Sequence, residues 1–440
     1  MPNLIIQHFE PLCAFLLPLL LHMSQPQQRH ALNVVGALLV CGSKHKTLTT
    51  LTAMLRLPHA DHFALADFFR QSGWCPLEVR RAVLTAQLAT VARLLQTDQA
   101  VHCPVFLSVD DSLAVKDVGT RALQAVTFHH DHVKQRRQSG KYTNAARYVM
   151  INAHICGFSF PLTWRLYLSR RQVRRLNRAR VGAAVSAAMP AAMPKDRLVY
   201  RKLIALVIEM LDEIAPKIPA GRRVYVLFDS WYASAELLNN IRARGWHFIC
   251  AVKSNRNLSG LALGSWWPKL SRQRIQRVKT HNSKGSHTYY TRYTTGRLRS
   301  VPQQVGAVLS KRSPRRGPIA FFVTSDLHLR AQGILRYYAI RWQAETDNFL
   351  LKQRLGLADF RLHTIEATLR WFSLVFAAYA FVRVRIAQVW LKQPSQPKQS
   401  FGDVIAEQQR WHLQRLITFV ADQARQGWSN QQLLDHLLPT

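Results

Sequence analysis

Tyr338, Arg341, Glu345 and Lys352 follow one another in the pattern Y-x2-R-x3-E-x6-K. At roughly 100° per residue, offsets of 3, 7 and 14 fall within about 60° of one another on an α-helix. A single helix over 331–356 would therefore carry all four in one stripe. A carboxylate between two cations and a phenol suits a place where a divalent cation meets a phosphate, because carboxylates are the hard oxygen donors magnesium takes. One acid cannot build such a site alone. The chain must fold so that other carboxylates reach Glu345, and that requirement restricts the architecture more than composition does.

Two upstream segments can supply them. Val105–Val109 is a short apolar run followed by Asp110 and Asp111, and Val224–Phe228 is another, followed by Asp229. Both read as buried strands with an acid at the exit, where a ligand is held rigidly. More than a hundred residues separate each acid from the next, so only tertiary folding can gather them. Each acid also has a plainer explanation. Asp110-Asp111-Ser112 could form a turn, Asp229-Ser230 could cap the following helix, and Glu345 could pair with Arg341 on a surface. Neighbouring strand residues face opposite sides, so Asp110 and Asp111 cannot serve equally.

The rest of the pattern is α/β. Residues 1–100 read as helical, with apolar spacing through Leu32, Val35, Leu38 and Leu39 and again from Leu48 to Leu55. Pro58 closes that second helix, and the pair beginning at Lys44–Lys46 could be a DNA-reading helix-turn-helix or an ordinary helical hairpin. Residues 101–253 alternate strands and helices: Val105–Val109, a hairpin of 148–156 and 158–168 split at Gly157, an amphipathic helix over 195–214, Val224–Phe228, a helix over 234–245, and a strand over 246–252. Residues 254–325 look like a β-rich insertion, with alternating runs at 287–294, 303–309 and 318–324. Residues 326–365 return to the Glu345 helix, and 366–440 are helical again, with a Pro/Gln/Ser linker at 393–400.

Charge narrows the partners. The chain has 60 Lys and Arg against 24 Asp and Glu, a net +36 spread along its length. A surplus of that size repels itself unless a polyanion neutralises it, which points to nucleic acid. With 48% hydrophobic residues in 440, the chain can bury cores of enzyme size, beyond what a purely structural nucleic-acid protein needs. The six cysteines form no CxxC pair, so reduced thiols are expected. Pro11–Leu21 follows Glu10 and lacks a basic flank, so it reads as a buried helix and not a signal peptide. The apolar stretch Trp371–Val382 is too short to span a bilayer, and no membrane role is expected. His129-His130-Asp131-His132 reads as a solvated or DNA-facing loop more readily than a zinc tract. Trp266-Trp267 reads as packing within the insertion, with base stacking as the alternative. Arg170, Arg171, Arg174, Arg175, Arg178 and Arg180 form a dense run suited to phosphates.

The stretch Tyr338-Ala-Ile-Arg341-Trp-Gln-Ala-Glu345, with Lys352-Gln-Arg-Leu-Gly356-Leu, resembles the YREK signature of DDE insertion-sequence transposases, in the group of insertion-sequence family four and its relatives. Asp110-Asp111-Ser112 with Lys116 and Gly119 is similar to the group's first acidic block, with Ser where Thr is usual. Asp229-Ser-Trp-Tyr-Ala-Ser is similar to the second. The resemblance spans roughly 100–365. It implies an RNase H-like catalytic core carrying a β-strand insertion, a helical N-terminal DNA-binding domain before it and C-terminal helices after it. By the same resemblance Asp110 (favoured over Asp111 by the D-x-S pattern), Asp229 and Glu345 hold two magnesium ions, with manganese able to substitute. Tyr338, Arg341 and Lys352 grip DNA at the cleavage point. The implied partners are double-stranded DNA, as terminal inverted repeats and target, and a second copy of the chain in a synaptic complex; the implied place is the cytoplasm, at the nucleoid. The alternatives are a catalytically inactive DNA-binding regulator derived from such an enzyme, or another RNase H-like nuclease.

Overall fold

The strand that begins at Val105 does not end at the acids but continues to Val115 (β1). In the computed structural model, which describes residues 9–55, 59–100, 102–131, 141–186, 197–270, 275–282 and 285–437, β1 lies inside a ten-stranded sheet. On one side it pairs antiparallel with β3 (Tyr142–Ile155), from Phe106 opposite His154 to Val115 opposite Ala145. Beyond β3 lie β2 (Thr127–His130) and β4 (Phe158–Tyr167), both antiparallel to it. On the other side β5 (Val224–Phe228) runs parallel to β1, and β6 (His247–Val252) parallel to β5. The order β4-β3-β1-β5-β6, antiparallel then parallel, makes a central mixed sheet of the kind found in RNase H-like nucleases.

The length of β1 has a simple cause. β5 pairs with it only from Val105 to Ser108, whereas β3 accompanies it to Val115. The apolar run stops because cover from β5 stops. The strand goes on because β3 still satisfies its backbone groups. Asp110 and Asp111 are therefore mid-strand residues beside the end of a shorter neighbour.

After β6 come a small ribbon of β7 (Asn257–Leu258) and β8 (Leu261–Ala262), then β9 (Gln276–Asn282), β10 (Gly285–Arg297), β11 (Gln304–Lys311) and β12 (Ala320–Thr324). The last four continue the central sheet, in the order β6-β12-β11-β10-β9. The β-rich stretch thus widens the sheet that carries the acids.

The helices are α1 (Glu10–Leu16), α2 (Gln25–Val40), α3 (Leu48–Leu55), α4 (His59–Arg70) and α5 (Pro76–Leu95), then α6 (Arg170–Ser186), α7 (Leu203–Ile214), α8 (Ala235–Ala243) and α9 (Trp266–Lys269). Pro58 and Arg180's side chain lie outside the described residues. α7 starts eight residues later than the periodicity suggests. The backbone amide and carbonyl of Leu198 are held instead by Asn177 of α6, at 3.0 and 2.9 Å, so this segment runs extended.

The expected helix over 331–356 is two: α10 (Ala331–Ala339) and α11 (Trp342–Gln353). Between them, Ile340 and Arg341 make tight three-residue bonds to Tyr337 and Tyr338, each 3.1 Å. The two halves answer to different surfaces. Ile334 and Leu335 of α10 pack with Phe106, Tyr225 and Ile249, whereas Leu351 of α11 joins the larger core on the other face.

That larger core is shared by α1, α2, α5, the central strands and α12 (Ile365–Lys392). At 28 residues α12 matches the helical reading of this region and runs past the apolar stretch Trp371–Val382 at both ends. It is long and apolar enough to cross a membrane by composition, but 72% of its most apolar window is buried inside the protein. α13 (Phe401–Arg425) and α14 (Asn430–Leu437) follow. The expectation of reduced thiols is corrected at one pair: Cys103 and Cys156 form a disulfide, with Cα atoms 6.6 Å apart. Antiparallel pairing of β1 and β3 brings the residues just before one strand and just after the other close together, which linear spacing cannot reveal.

Candidate active site

Three elements bring the acids together. β1 supplies Asp110 and Asp111, the turn leaving β5 supplies Asp229, and the first turn of α11 supplies Glu345. Arg341 joins two of them: its guanidinium lies 3.5 Å from Asp110 Oδ1 and donates to Glu345 Oε1 at 2.8 Å. The arginine side chain is only 12% exposed, whereas that of Glu345 is 42% exposed, so the pair joins a mostly buried cation to a carboxylate open to solvent. Asp110 is the group most affected by its surroundings. Burial first, then the neighbouring Asp111, Glu345 and Asp229 carboxylates, push its pKa up to about 7, against the pull of Arg341. Asp229 is also raised, chiefly by burial, although the amide of Trp231 donates to it at 2.9 Å.

Two of the plainer explanations do not hold, while the Arg341–Glu345 pair is present as an i,i+4 contact. Asp110 and Asp111 sit in a strand, not a turn. The helix after Asp229 is capped by Ser234, whose Oγ accepts from the Leu237 amide at 3.2 Å, leaving Asp229 free of that task. Asp111 is engaged elsewhere: Arg147 Nε and the Tyr232 hydroxyl each donate to it at 2.8 Å. Asp110 instead faces Arg341 and the Asn348 amide, 3.3 Å away.

The remaining members of the Y-R-E-K pattern are placed around these acids. Lys352 Nζ donates to Ser112 Oγ at 3.0 Å, two residues beyond Asp110. Burial lowers its pKa while Asp110 opposes the change. The Tyr338 ring packs on Phe322 at 4.7 Å, with Arg341 5.8 Å from its centre. Burial above all pushes its phenol up to about 12, so it remains a hydrogen-bond donor at neutral pH.

Sequence reasoning missed the support beneath α11. Asp347, two residues after Glu345, is fully buried. Its carboxylate accepts from the Tyr379 hydroxyl at 2.7 Å and from Asn152, Ser159 and Arg383. Burial opposes its charge, yet Arg383, with His154 and the two hydroxyls, holds its pKa below the ordinary range. Asn348 accepts from the Tyr148 hydroxyl at 2.8 Å while donating to Asp110. No periodicity marks these residues. A pair of polar residues on the inner side of a short helix was the available signal.

Other sequence candidates fall away from the site or change character. His129 and His130 belong to strand β2, not a loop; His129 is buried near Tyr167, and burial first, then Arg147, lowers its pKa to about 4. His132 lies outside the described residues. Trp267 is covered by Arg292, 4.4 Å above its ring, and by Lys311 at 4.8 Å.

The donor set fits a divalent cation in kind, since Asp110, Asp229 and Glu345 are hard oxygen donors near enough to raise Asp110's proton affinity. Among the described residues, however, no three His, Cys, Asp or Glu side chains already stand together as a metal cage. Arg341 occupies the space between two of the carboxylates and supplies the positive charge there.

A family model described as DDE superfamily endonuclease matches residues 18–304, more than half of the chain. The chain belongs to the DDE superfamily endonucleases. The match covers the strands bearing Asp110 and Asp229 and stops short of Glu345, whose place beside Asp110 rests on the Arg341 bridge. Endonucleases of this superfamily generally use divalent metal ions, in keeping with the carboxylate chemistry here. No curated protein matches the chain.

Proposed function

We propose that this DDE endonuclease is a transposase of the Y-R-E-K group, cutting DNA at the ends of an insertion sequence and joining those ends to target DNA. The observation that carries the reading is the meeting of Asp110, Asp229 and Glu345 around Arg341, with Lys352 beside them. A nuclease of another kind needs the acids; the flanking phenol, guanidinium and ammonium match the transposase pattern quoted above.

Asp110, Asp229 and Glu345 would hold two magnesium ions, which would activate the attacking oxygen and stabilise the leaving one. The protein's own groups do the rest. Arg341 keeps Asp110 and Glu345 within reach of each other and presents a planar fork suited to phosphate. Lys352, steadied by Ser112, adds a point charge for the backbone. Tyr338 keeps its phenolic proton at pH 7 and so could donate it to a phosphate oxygen. Asp111 and Arg147 neutralise each other behind the site, fixing the strand without competing for the phosphate. The working partners would be the inverted repeats at the element ends, target duplex and a second copy of the chain, at the nucleoid in the cytoplasm, with the N-terminal helices reading the ends.

The test is cleavage and strand transfer on duplex carrying the gene's own flanking sequence, with magnesium or EDTA. Magnesium-dependent nicking at the repeat end, followed by joined products, is expected. Glu345→Gln should retain duplex affinity and lose at least a hundredfold in nicking rate, as when groups acting together at a metal site are broken. Nicking without joined products would reduce the reading to a nuclease. Normal cleavage by the variant would remove Glu345 from the site.

A further inference from the structure

Over residues 170–179, helix α6 (Arg170–Ser186) divides between two faces. Gln172, Val173 and Leu176 are buried, whereas Arg171, Arg174, Arg175 and Arg178 are exposed. The four arginines stand at i, i+3, i+4 and i+7, so they form one stripe. Among the described residues none of the four makes an ion pair. The first turn carries no acid, although the positive end of a helix favours one and disfavours cations. Arg171 with Arg175, and Arg174 with Arg178, are moreover like charges one turn apart, which weakens an isolated helix. Such an arrangement suits a helix that an external polyanion neutralises.

Its position favours one polyanion. The strand β4 leads into α6 from Tyr167, whose ring lies 5.6 Å from the Arg147 guanidinium, and Arg147 is paired with Asp111 beside Asp110. Tyr167 shares a hydrogen bond with Tyr200, and Arg170 stands 5.1 Å above the Tyr200 ring. The arginine stripe therefore begins beside the strands that flank the carboxylate cluster, on the side of Arg147. From Arg171 to Arg178 it spans about 10 Å at the helical rise. A duplex presents one phosphate charge per roughly 1.7 Å of axis, so several phosphates lie within that reach. No exposed aromatic or amide residue is interleaved among the four arginines, so the stripe presents guanidinium groups alone, and a row of these suits the evenly spaced phosphates of a backbone.

We propose that the exposed arginine face of α6 is a sequence-independent ridge for the backbone of duplex DNA extending away from the carboxylate cluster. The proposal rests on the reading of the protein as a DNA-cutting enzyme and adds where the DNA outside the cut is held.

The experiment replaces Arg171, Arg174, Arg175 and Arg178 together by Gln, and in a second protein by Lys. Binding to a 30-base-pair duplex of unrelated sequence is followed by fluorescence anisotropy from low to moderate potassium chloride, with circular dichroism confirming the fold. Each lost phosphate contact lowers the slope of log affinity against log salt by about 0.9. The Gln protein should lose about 3.6 in that slope if all four arginines touch phosphates, and at least tenfold in affinity, and the Lys protein should keep most of both. Wild-type binding left unchanged in the Gln protein would overturn the ridge and leave the nuclease reading standing. Absence of salt-dependent duplex binding by the wild type would overturn both. A loss confined to an RNA duplex of the same length would overturn the assignment to DNA.

Discussion

Asp347 shows how much of a site of this kind is decided beside its reactive groups. It lies on the same short helix as Glu345, is wholly buried, and is the counter-charge of Arg383 on α12. Removing one member of a buried pair leaves the other charged without a partner, which is worse than never having built the pair. Asp347→Ala should therefore destabilise the protein by about 3–5 kcal/mol, read from urea unfolding. A loss under about 0.5 kcal/mol, the ordinary surface-substitution range, would show that α11 does not depend on this ion pair. The choice between Asp110 and Asp111 belongs to the same scale. Adjacent strand residues point opposite ways, so the sequence states that one is turned toward the other acids without saying which. Arg147 and Tyr232 make the difference by engaging Asp111, and they lie 36 and 121 residues away in sequence.

Elements were legible in proportion to how locally they are determined. The alternating runs of 287–294, 303–309 and 318–324 became β10, β11 and β12, because side-chain alternation is a property of each strand alone. The end of β1 was not legible, because it depends on β5 stopping at its side while β3 continues. The single helix over 331–356 failed for a similar reason. Its apolar positions change sides at Ile340, where one half packs with Phe106 and Tyr225 and the other faces the core around α12. The sheet also makes a prediction of its own through two buried histidines, His129 on β2 and His154 on β3. Burial chiefly lowers both to about 4, and His154 is further committed to Ser108 at 2.6 Å. A group whose folded pKa lies below its unfolded value of 6.5 gives its full stability above pH 6.5 and loses it as pH falls toward 4. Each histidine should then contribute a slope approaching about 1.4 kcal/mol per pH unit across that window. Replacing both by Gln should flatten the urea-unfolding stability between pH 6.5 and 4.5 relative to the wild type. An unchanged slope would mean that other groups govern acid unfolding.

For the molecule as a whole, the deciding quantity is the net charge of +36 on a chain that also buries one large continuous core. The core explains why the N-terminal helices, central strands and α12 hold together, and the charge works against it at every contact with solvent. Charge was fully legible in the sequence, since it needs only counting. Its cost was not, because that depends on how many cations find a carboxylate, and with 24 acids most cannot. The conserved quantity in this contest is range. Screening shortens from about 10 Å at 0.1 M salt to about 3 Å at 1 M, so repulsion between separate faces should fade while the core is little changed. Thermal unfolding in potassium chloride should therefore shift upward between those limits. Short duplex DNA should produce a comparable shift at micromolar concentration, because a ligand at a hundred times its dissociation constant adds about 2.7 kcal/mol to the folded state. A neutral polymer at equal mass should do neither. If salt left the midpoint in place, the fold would already neutralise its own charge, and the case for an extended nucleic-acid surface would lose its physical basis. If salt raised the midpoint and duplex did not, the repulsion would be real but its natural counterpart would be some other anion.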